Sequence, residues 1–369
     1  MTLNTSITKE EILRIAEKST KTVISKFTPR ELPPAMTFHY HQSVFLLGVL
    51  RVWEKTGNDE YFKYIQDYYD AIIDDNGNLL YERDQLDTIQ VGILLFKLYE
   101  ETGLEKYLIV ARKLRAIVDT INRTTENGFW HKDKYPYQMW LDGLYMAGPF
   151  LIKYANYTHE KDLVQLVLYQ ERLMRKNMTD PETGLLFHAW DEKREQPWAD
   201  KETGNSPEFW GRSVGWYGMA LIDLLEEMGD DYHGQDDLPQ QVANYVENVT
   251  KFQDEETGLW YQIVDKGHLE DNWLESSSSS LYLYTIAKAL KHGYIGEEYE
   301  EVMFRAYNGL IEHLTEETEV KLHLNGICIG TSAGTYDYYV GRPTSTDDLH
   351  GVGTFLLGIM AVHEYLESK

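Results

Sequence analysis

The stretch Tyr137-Gln138-Met139-Trp140-Leu141-Asp142-Gly143-Leu144-Tyr145-Met146-Ala147-Gly148-Pro149-Phe150 decides how this chain folds. From Trp140 to Asn156 the residues are apolar on every side, whereas the preceding segment, Glu105 to Asn122, carries apolar residues on one stripe only. A helix apolar all round is buried, and a striped one lies over a core with its polar face in water. The pair is therefore an outer helix followed by an inner one. Asp142 sits in the first turn of that inner helix, beside Trp140. Two readings are open for it. Asp is favoured at helix starts, where its carboxylate caps free N–H groups; or it is the acid/base of an active site.

The same pairing runs along the whole chain. Lys9 to Phe27 is amphipathic, and His41 to Lys55 is apolar and closes at Thr56-Gly57. Glu60 to Ile73 is followed by Leu86 to Glu101, which closes at Thr102-Gly103. After the central pair come Lys161 to Lys176 with Arg212 to Met228, and Pro239 to Phe252 with Ser277 to His292. Glu298 to Thr315 with Gly351 to Leu366 completes the series. Glycine after the last apolar residue suits the left-handed turn that ends many helices.

Between most partners lies a glycine turn followed by aromatics: Asn76-Gly77-Asn78-Leu79-Leu80-Tyr81, Asn127-Gly128-Phe129-Trp130-His131, Thr183-Gly184-Leu185-Leu186-Phe187-His188 and Thr257-Gly258-Leu259-Trp260-Tyr261. These glycines are unevenly spaced, which argues against a uniform solenoid. Outer–inner pairs with long aromatic loops at one end predict an all-α fold, an (α/α)6 barrel of six helical hairpins. The loops before the inner helices then line one mouth. No low-complexity linker interrupts the series, so residues 1–369 are expected to form a single catalytic domain. The run Ser276 to Ser280 is too short for a linker; small residues there suit a close approach of backbones or of a ligand.

Composition narrows the function. The net charge is −25, and no Lys/Arg block exists to make the basic face that nucleic acid needs. The longest apolar runs, Ser43 to Leu50 and Thr354 to Val362, fall short of the roughly 18–20 residues of a membrane span. Met1 to Lys18 lacks the apolar core of a secretory leader, and Cys328 stands alone, so a cytoplasmic protein without disulfides is expected. Aromatics reach 13%, and every Trp but Trp53 lies between Trp130 and Trp273. Aromatic faces line sugar subsites as well as cores.

Chemistry is expected at the starts of the inner helices. These positions hold His39, Tyr40 and His41; Asp84 and Asp87; Trp140 and Asp142; Trp210, Arg212 and Trp216; Glu275 and Ser276; Asp348 and His350. The turn segments add His131, Lys132, His188 and Trp190. Asp87 and Asp142 open neighbouring inner helices, and two carboxylates facing across a cleft push one pKa upward. They are equally well read as plain caps. The Arg212 fork fits a ligand carboxylate or a protein Asp. His39-Tyr40-His41 lacks further ligands at recognisable spacing, and there is no HExxH motif, phosphate loop or nucleophile elbow, so neither metal nor cofactor is expected.

Five runs carry a family resemblance: Trp130-His131-Lys132, Tyr135-Pro136-Tyr137-Gln138-Met139-Trp140-Leu141-Asp142-Gly143, His188-Ala189-Trp190-Asp191, Pro207-Glu208-Phe209-Trp210-Gly211-Arg212-Ser213-Val214-Gly215-Trp216 and Asp271-Asn272-Trp273-Leu274-Glu275-Ser276-Ser277. In this order, and with the match extending from His39 to Gly351, the chain resembles the unsaturated rhamnogalacturonyl hydrolases of glycoside hydrolase family 105. These are relatives of the unsaturated glucuronyl hydrolases of family 88. The resemblance implies an (α/α)6 barrel and hydration of the double bond that polysaccharide lyases leave in a terminal uronic acid. An acid protonates C4, water adds at C5, and the resulting hemiketal opens and breaks the glycosidic bond.

By the same resemblance Asp142 matches the acid/base and Asp87 its carboxylate partner. His188 and Arg212 match residues around the sugar and the attacking water. Tyr40, Trp210 and Trp216 match aromatic walls, and His131 and Lys132 match positions near the uronate, with Trp140 at the same mouth. The implied partner is a small anionic unsaturated oligosaccharide, with rhamnose after the unsaturated galacturonate, bound by a monomer or weak homo-oligomer. Glucuronyl disaccharides from glycosaminoglycans are the alternative substrate, an inverting glycosidase a further one, and a non-catalytic glycan-binding repeat protein the reading from another class.

Overall fold

The computed structural model describes residues 7–81, 83–229 and 237–369; the opening of the Met1 to Lys18 segment lies outside them. Helices α1 (Lys9–Ile24) and α2 (Tyr40–Thr56) form the first hairpin. In the second, α3 (Asp59–Ile72) precedes an inner helix divided into α4 (Asp87–Gln90) and α5 (Ile93–Thr102). Then follow α6 (Glu105–Val118) with α7 (Gly143–Thr158), α8 (Lys161–Met178) with α9 (Gly211–Met228), and α10 (Leu238–Thr250) with α11 (Ser276–Lys291). Helix α12 (Glu300–Gly309), a short α13 (Tyr336–Val340) and α14 (Leu349–Ser368) complete the chain. Each inner helix packs on the next, and α14 touches both α11 and α2, which closes an inner ring. The fold is the (α/α)6 barrel.

Burial follows the sequence pattern. Helix α1 buries one stripe, Ile12, Ile15, Ala16, Ser19 and Val23, while α14 buries every residue from Leu349 to His363. The serine run at the start of α11 is wholly buried. A methyl group at Gly358 of α14 would stand 2.7 Å from the Ser280 carbonyl, so these two inner helices meet almost backbone to backbone. Thr56-Gly57 and Thr102-Gly103 end their helices as expected, with Gly57 and Gly103 at φ 64° and 69°. Among the described residues no helix is long and apolar enough to cross a membrane.

Several helix ends differ from expectation, α6 stopping at Val118 and α12 at Gly309, and for two of the differences the physical reason is plain. Leu86 to Glu101 is not one helix. The Tyr69 hydroxyl donates to the Val91 carbonyl at 2.8 Å, and Gly92 lies under Phe150, where a Cβ would meet the ring at 2.6 Å. The chain crosses this point in tight i→i−3 turns, Gly92 N–H to the Ile89 carbonyl and Leu95 N–H to the Gly92 carbonyl. Trp140 is also not helical. It ends β1 (Gln138–Trp140), which pairs antiparallel with β2 (Ala189–Asp191), so α7 starts only at Gly143.

Candidate active site

The barrel mouth is stitched together by one repeated hydrogen bond. The N–H of Leu86 donates to the carbonyl of His131, that of Leu141 to His188, that of Gly211 to Gln262, and that of Ser276 to Gly326. In each case the start of one inner helix is tied to the segment that leads toward the next. The residue after each tied N–H is Asp87, Asp142, Arg212 or Ser277. The fold thus carries these side chains round the mouth at equivalent positions and brings each to the neighbouring hairpin's turn segment.

Asp87 meets His131 and Lys132 there. Its Oδ1 lies 3.3 Å from His131 Nε2, and its Oδ2 accepts a short bond from the Lys132 ammonium. Burial penalises the Asp87 carboxylate, but the charges of His131 and Lys132 outweigh it and hold its pKa below the ordinary value. Burial pushes His131 itself down to about 4 against the pull of Asp87, so above that pH Lys132 is the lasting cation of the group. The His131 ring stacks on Trp140 at 4.7 Å, and Tyr135 stacks on Trp140 at 4.5 Å.

Asp142 occupies the N-cap position of α7 in helical conformation, and its side chain makes no capping hydrogen bond. The cap reading is thereby set aside. Its Oδ2 stands 3.3 Å from His188 Nε2, a contact too poorly directed to satisfy either atom, and both remain buried without a regular hydrogen bond. Burial raises the Asp142 carboxyl, but contact with His188, then the His131 charge and its own backbone N–H, prevail and leave its pKa low. The expected upward shift from facing carboxylates is therefore absent in the free protein: each Asp has its own counter-group on the adjacent turn.

Among the described residues Arg212 does not pair with a protein Asp. It is fully buried, and its fork grips backbone carbonyls, Cys328 O at 2.6 Å and Ile329 O at 2.8 Å, while the guanidinium lies over Trp210 at 4.4 Å. Cys328 is a hub. Its carbonyl also meets His350 Nε2 at 3.1 Å, and its N–H donates to Glu275, which further accepts from Ser277 and Ser278. Asp348 accepts from His350 Nδ1 at 2.8 Å, with His41 Nδ1 3.6 Å away. His41, Asp348 and His350 have metal-ligand spacing. Both His350 nitrogens are already committed, however, and the Arg212 charge lies close enough to act on His41 and Asp348. The group fits an internal ion-pair network better than a cation site.

Of the expected aromatics, Trp210 is packed between Arg212, His188 and Tyr339, and Trp216 is buried behind Tyr40 with Tyr145 stacked on it at 4.7 Å. Tyr40 is half-buried, and the charges of Arg212, Asp87, Asp142 and Asp348 all act on its hydroxyl, which places it centrally. Ser276, Trp190 and Asp84 support the loops: Trp190 lies in β2, and Asp84 accepts from the Asp133 N–H. Sequence reasoning missed Tyr339, whose hydroxyl lies 2.7 Å from His188 Nδ1. The aromatic run Tyr336-Asp337-Tyr338-Tyr339 was its one visible signal.

The chain belongs to Glycosyl Hydrolase Family 88, whose model matches residues 15–367. It is 24% identical over 328 residues to the unsaturated rhamnogalacturonyl hydrolase YesR of Bacillus subtilis (strain 168), covering 87% of this chain and 89% of that protein. It is similar to the solved family 105 glycoside hydrolase of C. acetobutylicum ATCC 824, with a TM-score of 0.89 and 35% identity over 96% of this chain and 99% of that one. The unsaturated glucuronyl hydrolase of Bacillus sp. GL1 shares the fold at a TM-score of 0.71 and 14% identity, with 95% and 96% covered. The chain is a glycoside hydrolase on a helical barrel.

Proposed function

We propose that this hydrolase releases 4,5-unsaturated galacturonic acid from the non-reducing end of rhamnogalacturonan disaccharides and oligosaccharides by hydrating the C4=C5 double bond. The observation that carries the reading is the asymmetry of the two carboxylates. Asp87 is locked to Lys132 and His131, whereas Asp142 keeps a buried oxygen without a well-directed partner. Vinyl ether hydration asks for one carboxyl group that gives a proton and then takes one. A conventional glycosidase asks for two carboxyls in complementary roles at a set separation.

The steps balance on one residue. Protonated Asp142 gives its proton to C4, water attacks C5, and the water's surplus proton returns to Asp142. The hemiketal at C5 opens, and the glycosidic bond breaks as the sugar rearranges. The low pKa of Asp142 in the free site is compatible with this role. A bound uronate brings a second negative charge and excludes water, and both effects raise the pKa of a neighbouring carboxylic acid. Asp87 holds sugar hydroxyls, Lys132 and His131 stand beside the uronate, Tyr40 offers an aromatic face, and Trp140, stacked with His131 and Tyr135, backs that side of the mouth. His188 orients Asp142, while Trp210, Trp216 and Arg212 support the walls from behind. The whole chain, residues 1–369, is proposed as one catalytic domain, since one hydrophobic core runs through all six hairpins.

The test is the ultraviolet absorbance of the conjugated double bond in a lyase-generated rhamnogalacturonan disaccharide. Wild-type protein should remove it. Steady absorbance with bound substrate would point to a binding module instead. Faster loss with glycosaminoglycan disaccharides would move the substrate to glucuronyl sugars.

A further inference from the structure

His188 is the contact of Asp142, and its ring proton has two possible places. The partners of the other ring nitrogen decide between them. Tyr339 is wholly buried, and its hydroxyl lies 2.7 Å from His188 Nδ1 while accepting from the Gly334 N–H at 3.1 Å. A phenol has a single hydrogen. With the Gly334 N–H on one lone pair, that hydrogen finds its acceptor, among the described residues, only at Nδ1. A proton on Nδ1 would take the phenol's second lone pair and leave the phenol's own hydrogen buried and unpaired, which folded proteins avoid. We propose that Tyr339 is a positioning residue that fixes His188 as the neutral Nε2–H tautomer, so that Asp142 faces an uncharged donor. The inference rests on Asp142 being the acid/base.

The rest of the mouth holds the hydroxyl in place. The Tyr339 carbonyl accepts from Gln262, and its ring stacks on Trp210 at 6.0 Å. The strand leading to this segment, β3 (Ile327–Cys328), is bound by Arg212 from α9, by Glu275 before α11 and by His350 from α14. Three inner helices therefore converge on the strand that leads to α13, the short helix that carries Tyr339. The chemical consequence falls on Asp142. An imidazolium at His188 would stabilise its carboxylate strongly and oppose proton uptake, whereas an uncharged N–H 3.3 Å away leaves the carboxyl able to gain and lose a proton. The assignment gives the buried fork of Arg212 a purpose: it anchors the loop that sets the tautomer.

The experiment is 15N–1H NMR of the full chain labelled at histidine, with His188→Gln to identify the His188 signals. Wild-type protein should show His188 Nε2 bearing the hydrogen and Nδ1 bare. Tyr339→Phe, which keeps the ring, should lose that fixed pattern and average the two nitrogens. Its kcat should fall about 10-fold with KM little changed. A wild-type spectrum with hydrogen on Nδ1 overturns the proposal, as does an unchanged pattern in the variant. The wild-type spectrum decides even if the variant does not fold. The fixed pattern together with an active Asp142→Asn would uphold the tautomer and sink the acid/base reading, so the two fail separately.

Discussion

Asp87 and Asp142 stand at equivalent places in successive hairpins, and both are nearly buried, yet their surroundings differ in kind. Leu86 and Leu141, the residues before them, make the same backbone bond to the next hairpin's turn segment. That segment presents His131-Lys132 to Asp87 and His188 to Asp142. The first carboxylate meets a permanent cation. The second meets an imidazole whose far nitrogen is engaged by a tyrosine hydroxyl. In this barrel the inner helix supplies the carboxyl and the neighbouring loop supplies its chemistry, so a repeated scaffold yields unlike groups side by side.

The sharpest way to break this comparison is to neutralise each carboxylate in turn. Asp142→Asn should lower kcat on the unsaturated disaccharide about 10³-fold, since general acid–base steps contribute 10²–10⁴-fold. Its melting temperature should fall only slightly: the side chain makes no cap, but the low pKa means that the folded site favours the carboxylate. Near-full turnover would remove Asp142 from the chemistry. Asp87→Asn should cost less, about 10–100-fold in kcat/KM and mostly in KM, because it strips Lys132 of its partner and loosens the sugar's hold. If Asp87→Asn proved the more damaging in kcat, the roles would have to be exchanged.

A third variant tests what lies behind both carboxylates. Arg212→Ala leaves the Cys328 and Ile329 carbonyls without their donor in a buried place, at a cost of about 1–3 kcal/mol of stability. Thermal unfolding should show this loss, and kcat should drop with it as the Tyr339 loop loosens. Unaltered kinetics in a stable variant would detach Arg212 from the site.

The sequence carried the fold well because the signal was repeated. Amphipathic and apolar helices alternate six times, and glycine ends α2 and α5 where the pattern stops. Its failures are all long-range. The apolar pattern runs the helix back to Trp140, because the sequence does not show that Gln138 to Trp140 pairs with Ala189 to Asp191. The break at Gly92 depends on Tyr69 and Phe150, which sit on other helices. The residues of the site were legible through their motifs, but their partners were not. Arg212 could be expected to seek a carboxylate, yet it holds carbonyls more than a hundred residues away. Tyr339 has no motif at all, and only the folded chain sets it on His188.

The smallest expected effect sharpens the Asp87 side of the comparison, through pH. Burial holds the folded His131 pKa at about 4, below the ordinary histidine value of roughly 6.5. Between those two pH values the unfolded chain takes up a proton at this residue that the folded chain refuses. Stability should therefore fall as pH drops through that window, by at most about 1.4 kcal/mol per pH unit for one proton. Asp87 acts in a separate window. Its folded pKa is depressed, so its stabilisation is complete above the unfolded aspartate value of about 3.9 and fades only as pH falls through the lower folded value. Replacing His131 by Gln, which cannot charge, should flatten the slope of stability against pH between about 4 and 6.5. The Asp87 loss at lower pH should shrink but not vanish, because the His131 charge is the larger of the two attractions and Lys132 still holds the carboxylate. Denaturant unfolding at stepped pH measures both. A His131→Gln protein with the wild-type slope would show that His131 titrates normally, and that Lys132 is not the lasting partner of Asp87 but shares it with an imidazolium.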